Sequence, residues 1–173
     1  VTIPDSVTSI GAEAFKSCGV LQSVTIGDSV TSIGANAFIY CSALQSVTIP
    51  DSVTTIGKYA FKGSGLQSVT IPDSVTSIGD YAFEGCRVLE SVTIPNSVKS
   101  IGERTFKDSA LKSVIIPDDA ALHTIGYRAF YRTPLKSVTI PNSVTIIGED
   151  AFNSCAYLES VTISNRVRSI SEG

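Results

Sequence analysis

Apolar residues recur along the chain in a fixed three-part order. The first part is Leu-x-Ser-Val-Thr-Ile, as in Leu21-Gln22-Ser23-Val24-Thr25-Ile26. Alternation of β-branched with small polar residues predicts a strand with one buried face. Leu21, Val24 and Ile26 are expected to point inward, Ser23 and Thr25 outward. Proline closes the strand at Pro4, Pro50, Pro72, Pro95, Pro117 and Pro141, because it removes a ladder donor. Asp or Asn follows each of these prolines and is suited to capping a turn. The second part is Val-Thr-Ser-Ile-Gly, as in Val75-Thr76-Ser77-Ile78-Gly79, which predicts a short extended segment on the opposite wall. Its glycine returns at 11, 34, 57, 79, 102, 126 and 148, which implies either a positive φ or close approach between coils. The third part is x-x-Ala-Phe-x-x-Cys, as in Asp80-Tyr81-Ala82-Phe83-Glu84-Gly85-Cys86. It is too short for a free helix, so one tight helical or 3₁₀ turn that pushes Phe inward is expected.

The three parts form one unit that repeats from end to end. Its leucine falls at Leu21, Leu44, Leu66, Leu89, Leu111, Leu135 and Leu158, and its phenylalanine at Phe15, Phe38, Phe61, Phe83, Phe106, Phe130 and Phe152. A spacing of 22–24 residues with apolar positions at fixed offsets marks a leucine-rich repeat solenoid. The expected fold is therefore an α/β-type repeat solenoid of about seven coils. Its strands stack as a parallel sheet about 4.8 Å apart on the concave face. No coil buries enough to stand alone, so stability has to come from neighbour-to-neighbour contact. Residues 1–173 read as one domain that opens and closes inside a repeat, as an excised piece of a longer protein lacking its native caps does.

The unit Leu-x-x-Val-x-Ile-Pro-x-x-Val-x-x-Ile-Gly-x-x-Ala-Phe-x-x-Cys resembles the BspA-like (TpLRR-type) leucine-rich repeat of bacterial and some protozoan surface proteins. The resemblance covers all but the last few residues; Thr105-Phe106 replaces Ala-Phe in one coil. It implies a cell-surface or secreted location and adhesion to host proteins or other cells.

Departures from the unit carry the candidate chemistry. The Cys position reads Cys18, Cys41, Ser64, Cys86, Ser109, Thr133, Cys155. Cys stands where two residues precede the next leucine and Ser or Thr where one does, a pattern of packing: buried thiols filling the interior. Only Cys18 and Cys41 lie in adjacent coils, where stacking would permit a disulfide. With one histidine and no Cys-x-x-Cys, a zinc site is not expected. No cofactor is implied. A net charge of −3 argues against a general nucleic-acid binder, and no apolar run approaches the ~20 residues of a membrane span.

Charge is uneven. Lys99, Arg104, Lys107, Lys112, Arg128, Arg132 and Lys136 crowd the fifth and sixth coils. The sixth coil is also the irregular one: Pro117-Asp118-Asp119-Ala120-Ala121-Leu122-His123-Thr124-Ile125 is two residues longer than its counterparts. It carries Tyr127-Arg128 and Tyr131-Arg132, and Tyr and Arg are common binding anchors. Lys112 and Lys136 lead two adjacent strands with Glu90 and Glu159 on either side, and Ile115 breaks the outward Ser/Thr rows. The candidate ligand-binding set is thus Lys112, Ile115, His123, Tyr127, Arg128, Tyr131, Arg132 and Lys136. Catalysis is not expected: His123 has no recurrent acid beside it and no phosphate loop is present. The sequence reads as a noncatalytic, adhesin-like recognition module for a protein or glycan, working from the sheet face or the basic coils. The alternative is a structural spacer that presents another domain. Unpaired coil ends predict end-to-end self-association.

Overall fold

A computed structural model describes residues 1–171. The chain winds as a parallel β-solenoid of fifteen short strands, and every strand pair is parallel. Coils are numbered here by their phenylalanines, from Phe15 in the first to Phe152 in the seventh.

Leu, Val, Ile and Phe of each unit enter one continuous apolar strip running from Ile3 to Ala151. Its axis is the phenylalanine column. The seven rings stack coil on coil with centroids 5.1–5.5 Å apart and near-parallel planes. The spacing is that of offset aromatic stacking, and it is somewhat wider than the roughly 4.8 Å strand spacing of a parallel ladder.

Two walls are sheets, and their relative continuity differs from expectation. The second-part segments, from Ser9–Ile10 to Ser169–Ile170, form the unbroken eight-stranded sheet. The first-part strands divide into three pieces: Thr2–Ile3, Ser23–Ile26 and Ser46–Thr48; then Ser91–Thr93 with Ser113–Ile115; then Ser137–Ile140 with Ser160–Ile163. In the fourth coil residues 68–70 lack a ladder, although Val69 and Ile71 are buried and the Gln67 amide still donates to Gln45 O at 3.1 Å.

The third wall corrects the helical expectation and, with it, the α/β description: no helix is present among the described residues. Two residues per coil, flanking Phe two positions before and after it, have positive φ. They are Glu13 and Ser17, Asn36 and Tyr40, Tyr59 and Gly63, Tyr81 and Gly85, Arg104 and Asp108, Arg128 and Arg132, Asp150 and Ser154. Each left-handed residue ends a run of right-handed turn, so the chain makes successive β-turns instead of a helix. Amides at alternate positions are thereby freed for the next coil. Phe15 N donates to Ala37 O at 2.8 Å, Phe38 N to Ala60 O at 2.8 Å, and Phe61 N to Ala82 O at 2.8 Å. Within a helix those amides would bond four residues back and leave the coils unjoined on this side.

The recurrent glycine answers the other half of its expectation. It has ordinary φ, but a Cβ on Gly57 would lie 2.7 Å from Ala35 N and Gly34 C of the preceding coil. Close approach, not a turn, selects glycine there.

The cysteine column is a hydrogen-bond device. All four thiols are free, including Cys18 and Cys41. Cys41 Sγ donates to Phe15 O at 3.0 Å and Cys86 Sγ to Phe61 O at 3.3 Å, each reaching the preceding coil. In the shorter loops Ser109 Oγ and Thr133 Oγ1 donate to the phenylalanine carbonyl of their own coil, at 2.6 and 2.8 Å. Loop length therefore decides which carbonyl is reachable, and with it the residue. Burial pushes the Cys86 thiol up to about 11, which leaves it protonated and inert at neutral pH.

Candidate functional site

The eight candidate residues do not form one patch; the coil geometry distributes them over the walls. Lys112, Ile115 and Lys136 stand on the first-part strand face. Ile115 is 58% exposed, an apolar spot among Ser and Thr. Lys112 Nζ reaches Glu90 Oε1 at 2.5 Å between two largely exposed side chains, an ion pair worth at most about 1 kcal/mol. His123 is exposed at the margin of the second wall, where its carbonyl receives Thr145 N at 2.9 Å.

Tyr127, Arg128, Tyr131 and Arg132 come together on the third wall. The Arg128 guanidinium lies over two rings, 4.7 Å from the Tyr127 centroid and 5.0 Å from Tyr131. Arg132 lies 5.1 Å from Tyr131. Arg128 Nε and Nη2 both contact Asp150 Oδ2 at 2.7 Å, and Asn153 Nδ2 donates to Asp150 Oδ1 at 2.6 Å. The hydrogen bonds from Arg128 and Asn153 hold the Asp150 carboxyl below its usual range, and Asp150 in turn raises Arg128.

This cluster is one end of a longer column that the sequence reading missed. Arg104 bridges Tyr127 at 5.2 Å and Tyr81 at 5.4 Å. Tyr81 packs on Tyr59 with centroids 4.6 Å apart, and Lys58 lies 5.2 Å from both rings. Tyr81 donates its hydroxyl to Glu103 Oε1 at 2.6 Å and accepts from Arg104 Nη1 at 3.2 Å. The bond to Glu103 and some desolvation push its phenol up to about 12. Beside the column Glu84 sits between Lys62 at 2.8 Å and Lys107 at 3.4 Å. Burial pulls Lys62 down, but the Glu84 carboxylate more than offsets it and leaves the ammonium raised.

Tyr59, Tyr81, Arg104 and Arg128 share one position of the unit, two residues before Phe, and aligning the copies on Phe exposes that column. Their common left-handed φ has no such signal, since Tyr and Arg are not residues that favour it. Chemically the wall offers aromatic faces and guanidinium donors but no nucleophile–base pair. Among the described residues no three His, Cys, Asp or Glu side chains are grouped to hold a metal, and no helix is long and apolar enough to cross a membrane.

Comparison with known proteins agrees with this architecture. The family model described as "BspA type Leucine rich repeat region" matches in six copies over residues 1–90 and 78–173. A leucine rich cell surface protein from Faecalibacterium prausnitzii is 39% identical with a TM-score of 0.80, covering 94% of this chain and 44% of its own. A leucine-rich repeat protein from Bacteroides ovatus is 34% identical with a TM-score of 0.70, covering 96% of this chain and 50% of its own. The T. pallidum leucine-rich repeat protein, TpLRR, is 25% identical with a TM-score of 0.56, over 90% of this chain and 63% of its own. The chain thus spans about half the length of the first two structures. No curated protein matches. The repeat unit, the parallel coils and the family match lead to one conclusion: the chain belongs to the BspA-type leucine-rich repeat family.

Proposed function

We propose that the chain is a noncatalytic recognition module, adhesin-like, that binds a protein or glycan partner with its third wall over the fifth and sixth coils. The observation that carries this is the Tyr–Arg column held in left-handed backbone. Each non-glycine residue there costs about 1–2 kcal/mol relative to right-handed geometry, and glycine would remove that cost. Every coil has a left-handed residue at this position, but the fifth and sixth place Arg104 and Arg128 there between tyrosine rings, and it is that choice of side chains which points to use. Arg128 is held by Asp150 and so is pre-ordered for a partner, and Arg132 beside it is exposed. Lys112, Ile115, Lys136 and His123 lie on other faces and take a secondary part.

A protein 39% identical over most of this chain is described as a cell surface protein, which supports a surface or secreted location for the parent of this segment. We take residues 1–173 as one repeat domain within a longer protein. A spacer role predicts no chemically distinct wall, and the Tyr–Arg column speaks against it.

The test is an array of host proteins and glycans probed with wild type and an Arg128→Ala/Arg132→Ala variant of matched stability. The variant is expected to lose its ligand by about tenfold or more. Equal retention of every ligand by both proteins contradicts the reading. The last described turn leaves Val161, Ile163 and Ile170 39%, 41% and 61% exposed. We expect this 173-residue chain to associate end to end, seen as mass rising with concentration in light scattering; a constant monomer mass contradicts that.

A further inference from the structure

An open groove of about 600 Å³ lies beside the second wall, where the sixth coil, the seventh coil and the closing turn meet. His123, Asn142, Ser143, Thr145, Asn165, Arg166 and Arg168 line it. Its volume is that of a small-ligand site. Among the described residues, no carboxylate and no apolar side chain lines it. Neither arginine pairs with an acid among the described residues. Asp119, in the sixth-coil turn, accepts from Asn96 Nδ2 at 3.1 Å.

Ser143 adds an independent sign. In earlier coils the equivalent serines donate to the preceding coil: Ser52 to Val30 O at 2.7 Å, Ser74 to Val53 O at 2.7 Å, Ser97 to Val75 O at 2.5 Å. Ser143 Oγ is buried yet has no partner. In the coil below, the position whose carbonyl accepts this bond elsewhere is held by Ala120, at the start of the two-residue insertion. The insertion therefore both opens the groove and orphans a hydroxyl on its lining, and a buried polar atom without a partner calls for one.

We propose that this groove binds the anionic group of an acidic saccharide, a sulfate ester or a uronate carboxylate. Arg166 and Arg168 supply charge-assisted donors to the anion. Asn142 and Asn165 offer carboxamides that both donate and accept, matched to neighbouring ring hydroxyls. Ser143 adds an unpaired hydroxyl at the lining, and Thr145 Oγ1, which donates to His123 O at 3.4 Å, is left to accept. An acidic peptide would meet the same charge but would bring no ring hydroxyls to the two carboxamides. The groove shares no residue with the Tyr–Arg column, so it stands or falls separately from the proposed function.

The test is calorimetric titration of the intact chain with four probes: a heparin-derived tetrasaccharide, a tetragalacturonate, neutral maltotetraose and a hexaglutamate peptide. Arg166→Ala/Arg168→Ala and the near-isosteric Ser143→Ala are compared with Lys16→Ala, at an exposed position of the first coil, after thermal melts establish that each is folded. At least one acidic saccharide is expected to bind; because the heparin fragment carries uronate carboxylates too, its binding alone assigns sulfate and binding of the tetragalacturonate assigns carboxylate. The double variant should weaken that binding at least tenfold and Ser143→Ala several-fold, with Lys16→Ala unchanged. Equal binding of maltotetraose, binding of hexaglutamate as tight as the saccharides, no saccharide binding, or an unaffected double variant would each overturn the proposal.

Discussion

Gly57 and Tyr59 sit two residues apart and reverse the usual assignment of backbone roles. Gly57 has ordinary φ and is fixed by contact with the coil below, whereas Tyr59 adopts φ +59°. Gly57→Ala should therefore destabilise by about 1–3 kcal/mol, as overpacking does, although it inserts only a methyl. Ser154→Gly, at an exposed left-handed position, should be neutral or stabilise by up to about 1 kcal/mol, because relief of strain is partly offset by unfolded-state entropy. Urea unfolding of both variants checks the pair; the opposite order would contradict the assignment. Tyr81 supplies a second check. Its pKa is raised from 10.0 to about 12, so its bond to Glu103 contributes stability below pH 10 and loses it as pH rises through the folded value. An ultraviolet titration should show one of the six tyrosines ionising last, and Tyr81→Phe should delete that phase. The late phase surviving in the variant would contradict the assignment. The sequence disclosed which side chains repeat, but it did not disclose these conformations. Left-handed backbone is legible where Gly, Asn or Asp stands, as at Gly63, Asn36 or Asp108, and hidden under Tyr59, Arg104 and Arg128.

Each unit contributes one rung to the second and third walls and one ring to the phenylalanine column, while the first wall is interrupted at the fourth coil. The alternation of Val24 and Ile26 with Ser23 and Thr25 was read correctly because burial on one face imposes a period of two. The third part was misread as helical because a spacing of a few residues around one Phe fits a turn of helix and a chain of β-turns equally well; the bonds to the next coil decide between them. The groove was invisible for a related reason. His123 was noticed as the lone histidine, but Arg166 and Arg168 become its neighbours only through the register of two further coils. The column makes its own prediction. Phe83 is fully buried between two rings, whereas Phe152 is partly exposed with a ring on one side only. Phe83→Ala should cost about 3–5 kcal/mol and Phe152→Ala clearly less. Equal losses, by thermal or urea unfolding, would deny the column its continuity.

As a stack, the molecule has nearest-neighbour stability: inner coils are held from both sides and outer ones from one. Its chemistry is correspondingly displaced to the walls, where departures from the unit accumulate at the fifth to seventh coils, the Tyr–Arg column on one face and the polar groove on another. Both depend on the coils being joined through the third wall, since that wall sets the register of Arg104 on Tyr81 and Tyr127. Amide hydrogen exchange measures that joining directly. The amides of Phe38, Phe61, Phe83 and Phe106, which donate across coils at 2.8–2.9 Å, should exchange as slowly as Gly57 and Gly79 in the continuous sheet, at rates set by global unfolding. Exchange of those phenylalanine amides at the rate of an open turn, while the sheet amides stay protected, would contradict the account.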